Sequence, residues 1–406
     1  MAEGTRSAVR AAPIDGDDRL VTLDFIRGIA VLGIVFANIV GFGHPQLAYS
    51  WPREVPGGLD LSAKAIWLVQ YLLIDGKMRG LFSLLFGAGM ALFMQRAWAQ
   101  GHTLWLQVRR LVWLGLFGLL HFFLLFWGDI LFLYAMSGLV AVPMLTMRKR
   151  ALLGLGIVWY VSGAIFLALG HLGGVSLEQS DDLHPPTLVA QEQQLSAWAA
   201  LERDAAEERA VFLTGDYGAE LAFIANRRAP QLKDYPLIAG FETIPLMLIG
   251  MALYRFGFFA GAFPIATMRR WGWGGVAVGL GLSLPPGLWA ISRDFPPFLT
   301  DFVFNGAPQL PRLPMILGLA ALLSIAAPGA LAAQGLGGNL ARRLGAAGRM
   351  AFSNYIGTSF LMMLVFRSWA LGGYGRLDRL ELLLPMALCW LVMLAWSQPW
   401  LARFRY

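Results

Sequence analysis

The feature that most limits this chain is a series of long, nearly uncharged apolar runs. They cover roughly residues 20–42, 62–75, 79–95, 109–127, 130–147, 151–171, 237–258, 272–291, 313–333, 350–366 and 380–397. In lipid every backbone N–H and C=O must find a partner within the protein, so runs of this length fold as helices that cross a bilayer. Only 14% of the residues are charged, where a soluble chain carries about a quarter. A transmembrane barrel would show alternating segments of about ten residues, and these runs are continuous. The fold class is therefore all-α: a polytopic membrane helical bundle.

Eleven runs need not mean eleven spans. The second, SAKAIWLVQYLLID, has 14 residues, short of the roughly 20 that a spanning helix needs. Counting it as a span also places Arg96, Arg109 and Arg110, and then Arg148, Lys149 and Arg150, outside the cell, against the positive-inside rule. Read as an interfacial or re-entrant helix, it leaves about ten spans with both termini cytoplasmic, and the cytoplasmic segments then hold more than half of the 32 Lys and Arg residues. The net charge of +7 thus sits at span ends, and nucleic acid is not an expected partner. Residues 1–19 read as a disordered cytoplasmic tail without a cleaved leader, so the first span serves as an uncleaved anchor. Residues 20–171 and 236–406 form two helical halves around an external, partly helical insert at about 172–235. That insert carries 11 of the 25 acidic residues. Within it Leu195, Trp198, Ala199, Leu201 and Ala205 mark an amphipathic helix between Pro185/Pro186 and Gly215, as a solvated cap or a substrate-gating lid. Pro285 and Pro286 predict a kink or break in the run 272–291. Small residues in GAGMA (87–91) and GWGGVAVGLG (272–281) predict close helix packing.

Ionisable groups inside spans are costly enough to be functional candidates. The first span, LDFIRGIAVLGIVFAN, carries Asp24 and Arg27 at i,i+3 spacing and Asn38 further on, about 21 Å along the helix. The pair is a structural ion pair or part of a donor entrance, and Gly28 beside it lets a neighbouring helix approach. Asn38 leads to His44 in the first external loop. His121 lies in the outer half of its span, with Asp129 past a break at Gly128. It is either a bundle-facing histidine or a general base whose imidazole a carboxylate orients. A straight helix would hold the two about 12 Å apart, so only a turn at Gly128 can join them. Lys77, Arg79 and Glu242 belong to the same outer level, the first two as snorkelling residues or partners for Glu242. Near the cytoplasmic side GLGGN precedes Arg342 and Arg343, either a linker with topogenic arginines or a phosphate cradle. No HExxH, Walker loop or G-x-S-x-G appears, so zinc proteolysis, NTP hydrolysis and ordinary serine hydrolysis have no local support. Cys389 is the single cysteine, which excludes an intrachain disulfide, and no metal site is expected.

LDFIRGIAVLGIVFAN, GKMRGLFSLLFGAGM, RRLVWLGLFGLLHFFLLFWGDILFLYAM and GRMAFSNY (348–355) together resemble the YeiB-like family of bacterial inner-membrane proteins, a domain of unknown function. Its N-terminal half is similar to transmembrane acyltransferases such as heparan-α-glucosaminide N-acetyltransferase, with an Asp-x-x-Arg-Gly entry and a later Asn, here Asp24, Arg27, Gly28 and Asn38. The resemblance implies inner-membrane location and acyl transfer from cytoplasmic acyl-CoA to an extracytoplasmic small-molecule, glycan or lipid acceptor. It brings in His44, in the loop after the first span, as an alternative to His121 for the base. Asn354 of GRMAFSNY joins Lys77, Arg79 and Glu242 as substrate-binding candidates, and Asp24, Arg27, Arg342 and Arg343 are the candidates for holding acyl-CoA. The competing expectation is a non-enzymatic transporter or lipid- or quinone-binding protein using the same His, Asp and Glu. Membrane lipids are expected partners either way, and oligomers are open.

Overall fold

The computed structural model describes residues 21–404, and the tail expected at 1–19 lies outside the described residues. All regular structure among those residues is helical. In chain order the main helices begin with α1 (Val21–Gly43), α2 (Leu61–Leu73), α3 (Lys77–Ala99), α4 (Trp105–Leu124) and α5 (Leu131–Ala141). They continue with α6 (Lys149–Glu178), α7 (Pro185–Leu213), α8 (Tyr217–Phe223), α9 (Ile244–Arg255) and α10 (Ile265–Ser292). The last are α11 (Gln309–Ala332), α12 (Gly335–Arg349), α13 (Ala351–Phe366) and α14 (Leu383–Arg403).

Eight segments are long and apolar enough to cross a membrane by length and composition, with α2–α3 and the stretch Tyr217–Arg255 counted once each. Two shorter apolar helices, Leu131–Thr146 and Ala351–Phe366, complete the set. These segments stand where the ten spans were expected, and the chain is a multi-pass helical membrane protein. Helix α2 has 13 residues, about 20 Å by the helical rise. It turns into α3 through Gly76 at φ +72° and packs Trp67 and Tyr71 against Ala290, Phe295 and Leu299.

Helix α1 is the axis of the bundle. Seventy-two per cent of its apolar window is buried, against 22% for α10 and 28% for α6 and α14, so those helices present most of their surface outward. It packs against α3, α11, α12, α13 and α14. Its approach to α12 is backbone on backbone: a Cβ on Gly28 would lie 2.0 Å from Leu344 O, and one on Gly348 would lie 1.9 Å from Asp24 O. Without strong hydrophobic drive between helices in lipid, close approach of this kind is how they gain contact. The GAGMA motif acts alike, with Gly87 of α3 against the Met247 carbonyl of α9.

Three expectations need correction. The insert helix, Pro185–Leu213, runs between the expected ends but buries a different face. Its buried stripe is Trp198, Ala205, Glu208 and Phe212, while Leu195 and Leu201 are exposed. The rotation follows a buried carboxylate that the apolar pattern could not include. Of the kink or break expected at Pro285 and Pro286, the break does not occur, since α10 continues as helix through both; ending a helix within lipid would strand more backbone groups than the two prolines do. The segment around GLGGN is not a linker but the start of α12, whose small residues let it lie on α1.

Candidate functional site

The turn at Gly128 closes the gap that a straight helix would leave. Leu125 N and Phe126 N both donate to His121 O at 2.9 Å, and α4 ends there. The chain then reverses so that Asp129 Oδ2 accepts from Phe132 N at 2.7 Å, capping the start of α5 as a short carboxylate does. The second oxygen, Oδ1, lies 2.9 Å from His121 Nδ1, in a contact bent away from the in-line hydrogen-bond direction. On the other side of the ring, Nε2 faces Ser359 Oγ of α13 at 2.7 Å. His121, Asp129 and Ser359 are 1%, 3% and 1% exposed. Tyr355, one turn before Ser359, lays its ring against His121 with centroids 4.8 Å apart. Its hydroxyl accepts from Ile130 N at 3.2 Å and donates to Gly128 O at 3.4 Å.

Two cavities extend from this level toward opposite ends of α1. The first, about 440 Å³, has Asp24, Arg27, Arg110 and Arg349 toward one end and apolar walls that include Phe82, Phe86 and Phe352. Arg110 stacks on Phe93 at 3.8 Å and donates to Gln107. The deep end is walled by Ile130, Tyr134 and Tyr355. The second, about 310 Å³, is lined by Asn38, Arg79 and Asp129 and, toward the other end of α1, by Gln46, Arg228 and Gln231. Ile34 and Ile130 line both cavities. We call them the basic and the polar cavity.

The insert supplies part of the polar cavity's wall. Glu208 of α7 accepts from Gln46 N at 2.9 Å and from Arg228 at 2.5 Å, and Arg228 also pairs with Asp204 at 2.6 Å. Burial pushes the Glu208 carboxyl up, and the Arg228 guanidinium opposes that. Gln46 and Gln231 exchange two amide hydrogen bonds across the cavity, at 2.8 and 3.1 Å.

The structure sorts the other expected residues. Arg79 binds Glu242 through two parallel hydrogen bonds, 3.0 and 2.7 Å, the fork geometry that favours arginine on carboxylates. Arg312 stands 3.9 Å from the same carboxylate. Lys77 is wholly buried and turned back to donate to Tyr71 O at 2.5 Å, so it neither snorkels nor lines a cavity. Asp24 pairs with Arg27 at 2.9 Å, and both line the basic cavity. Arg342 donates to Ala333 O and Asn339 Oδ1, and Arg343 to Leu394 O. Neither lines the basic cavity; both serve free carbonyls at helix ends and helix faces. Asn354 spends its amide on Ala347 O, Ser397 Oγ and Trp396 Nε1, a link between α13 and α14. His44 sets Nε2 2.8 Å from Leu377 O and lines neither cavity, and burial pushes its imidazole down to about 4. It fastens the loop before α14 to the end of α1.

The basic cavity thus takes Arg27 with Arg110 and Arg349, two residues whose place at span ends made them look merely topogenic. Ser359 and Tyr355 were missed as well. Tyr355 closes GRMAFSNY, and Ser359 gives no signal beyond being a hydroxyl in an apolar run. Among the described residues no group of three His, Cys, Asp or Glu side chains is placed to hold a metal ion.

Comparison with known proteins agrees with the motifs. Residues 253–406 match the family model described as "Protein of unknown function (DUF418)". The uncharacterized protein YeiB of Escherichia coli is 30% identical over 96% of this chain and 93% of its own length. The uncharacterized protein YxaH of Bacillus subtilis is 27% identical over 96% and 92%. An uncharacterized 39.9 kDa protein from the amylase 3′ region of Bacillus acidopullulyticus is 34% identical over 38% of this chain and 42% of its own. No solved structure matches. With near full-length similarity to YeiB, this multi-pass helical membrane protein belongs to the YeiB-like family of unknown function.

Proposed function

We propose that this protein is a membrane-embedded acyltransferase of the bacterial inner membrane. It would move an acyl group from a cytoplasmic acyl-CoA to an acceptor on the opposite side, with both chain termini cytoplasmic. One observation carries the reading: two cavities approach from opposite ends of α1 and share Ile34 and Ile130 as walls, and Asp129, the carboxylate facing the buried His121, lines the second of them. A transferase that uses donors and acceptors from different compartments needs this arrangement, and a scaffold does not.

The basic cavity suits the donor. Three guanidiniums, Arg27, Arg110 and Arg349, provide a phosphate-binding mouth, and the apolar depth suits a pantetheine arm and acyl chain. A volume of about 440 Å³ takes that arm while the nucleotide stays at the mouth. The polar cavity suits the acceptor. His121 acts as general base, and the Asp129 carboxylate stabilises the imidazolium that forms. Asn38 and Arg79, on the wall shared with Asp129, supply donors for the developing oxyanion, which act best where water is scarce.

The test is acyl-CoA consumption by membranes carrying His121→Ala. Loss of a general base should cut turnover by about 10²–10⁴-fold. Unchanged turnover would sink the assignment of His121. Proton-driven uptake of a solute into proteoliposomes without any CoA requirement would replace the reading with transport.

A further inference from the structure

The acyl-transfer reading uses His121 and Asp129 but leaves the third member of the buried constellation idle. We infer that Ser359 is the nucleophile, a covalent carrier that holds the acyl group as a serine ester between donor and acceptor. This rests on the acyl-transfer reading above and names the carrier within it.

Each nitrogen of His121 faces one polar group. Nδ1 faces Asp129 Oδ1 at 2.9 Å, and Nε2 faces Ser359 Oγ at 2.7 Å. A general base acts on the proton within its reach, and the hydroxyl that the structure places at Nε2 is that of Ser359, whose other acceptor, Tyr355 O, is the more distant at 3.3 Å. An acceptor hydroxyl would have to displace the serine to meet this nitrogen. Hydroxyl, imidazole and carboxylate in this sequence activate serine for acyl transfer on unrelated folds, and the set is recognised by geometry rather than chain order. Here the order is His121, Asp129, Ser359. The serine comes from α13, 238 positions away from the histidine in sequence, so no local motif could announce it.

Ser359 is buried and lines neither cavity. Tyr355, a turn earlier on α13, walls the basic cavity and also lies on the His121 ring. Its hydroxyl is held by two long hydrogen bonds, 3.2 and 3.4 Å. For a donor in the basic cavity to reach the serine, the Tyr355 ring has to turn aside.

The chemistry balances without any further reactant. The Ser359 oxygen bonds to the thioester carbonyl carbon while its proton passes to Nε2. The carbon–sulfur bond then breaks, and the leaving thiolate takes that proton and departs as the free thiol. In the second half the acceptor hydroxyl or amine attacks the serine ester and gives its proton to Nε2. The Ser359 oxygen leaves and recovers that proton, so the serine ends as it began.

The experiment uses the purified full chain in lipid nanodiscs, incubated without acceptor with radiolabelled acyl-CoAs from acetyl to palmitoyl, then quenched, digested and analysed by mass spectrometry. The expected result is one base-labile acyl group on the peptide containing Ser359. It should be absent in Ser359→Ala, with turnover lowered by roughly a thousandfold or more. Ser359→Cys, which keeps a nucleophile of similar size, should carry a hydroxylamine-sensitive thioester instead and controls for folding. Wild-type protein that turns over acyl-CoA with Ser359 unlabelled overturns the carrier and leaves the acyl-transfer reading standing. Wild-type protein that neither turns over nor labels overturns both.

Discussion

The two cavities are close neighbours that differ in where their polar groups sit. Toward Arg27 the walls are phenyl rings and aliphatic chains, with charge gathered at one end. Toward Asn38 the walls include Phe122, Phe126 and Trp127 as well, but amides, guanidiniums and carboxylates are spread among them, several already bound to a neighbour. The first is suited to something long, apolar and anionic at one end. The second is suited to something hydrated that must trade water for many short polar contacts. The same helix α1 supplies Ile34 to both, so the contrast comes from what packs around it: Phe-rich α3 and α13 on one side, the insert on the other.

That contrast can be broken most severely at Glu242. Glu242→Ala leaves the buried Arg312 and the half-buried Arg79 without their carboxylate, which should cost up to about 3–5 kcal/mol. Thermal unfolding in detergent should show it as a large drop in midpoint; a shift of a degree or less would mean the pair is not structural. A pH-dependent effect comes next, at the His44 end. An imidazole pushed down from its ordinary 6.5 to about 4 binds fewer protons folded than unfolded in that window. Stability is then full above pH 6.5 and is lost as pH falls toward 4, by about 3 kcal/mol in all. His44→Gln should flatten this acid dependence in denaturant titrations; an unchanged pH profile would show the imidazole to be protonated in place. Smaller effects separate the cavities by substrate. Arg110→Ala should raise KM for acyl-CoA by roughly 10–100-fold, about 1.5–3 kcal/mol for a hydrogen bond to a charged group, with KM for the acceptor unchanged. Gln231→Ala should do the reverse and more weakly, by roughly 2–10-fold on the acceptor. If both substitutions move the same constant, the two cavities are not separate sites.

Much of the scaffold was legible because lipid leaves a chain few choices. Apolar length fixed the spans, and the short run 62–75 stood out by length and by the placement of arginines. The meeting of His121 with Asp129 was legible as a condition on the turn at Gly128, and Glu242 announced its need for a cation in its span. What escaped depends on helix rotation and on contacts distant in sequence. Arg110 and Arg349 face a cavity while Arg342 and Arg343 cap carbonyls, yet all four look alike as basic residues near span ends. Asn354 looked like a site residue because it is an amide in an apolar helix, and its hydrogen bonds go to α14 and to Ala347 instead. Ser359 is invisible for the converse reason: a hydroxyl can satisfy its own helix, so nothing demands a partner until α4 arrives beside it.

The shared wall of Ile34 and Ile130 has an electrical consequence. If water follows both cavities inward, the insulating layer at that point shrinks from the width of a bilayer to about the thickness of two aliphatic side chains, and the membrane voltage falls mostly across it. A proton moving through that layer between Asp129 and the basic cavity would gain or lose up to about 2.3 kcal/mol per 100 mV. Turnover measured in sealed vesicles under an imposed potassium diffusion potential should then depend on the sign of the voltage, and a polar substitution at Ile34 should make the same vesicles leak protons.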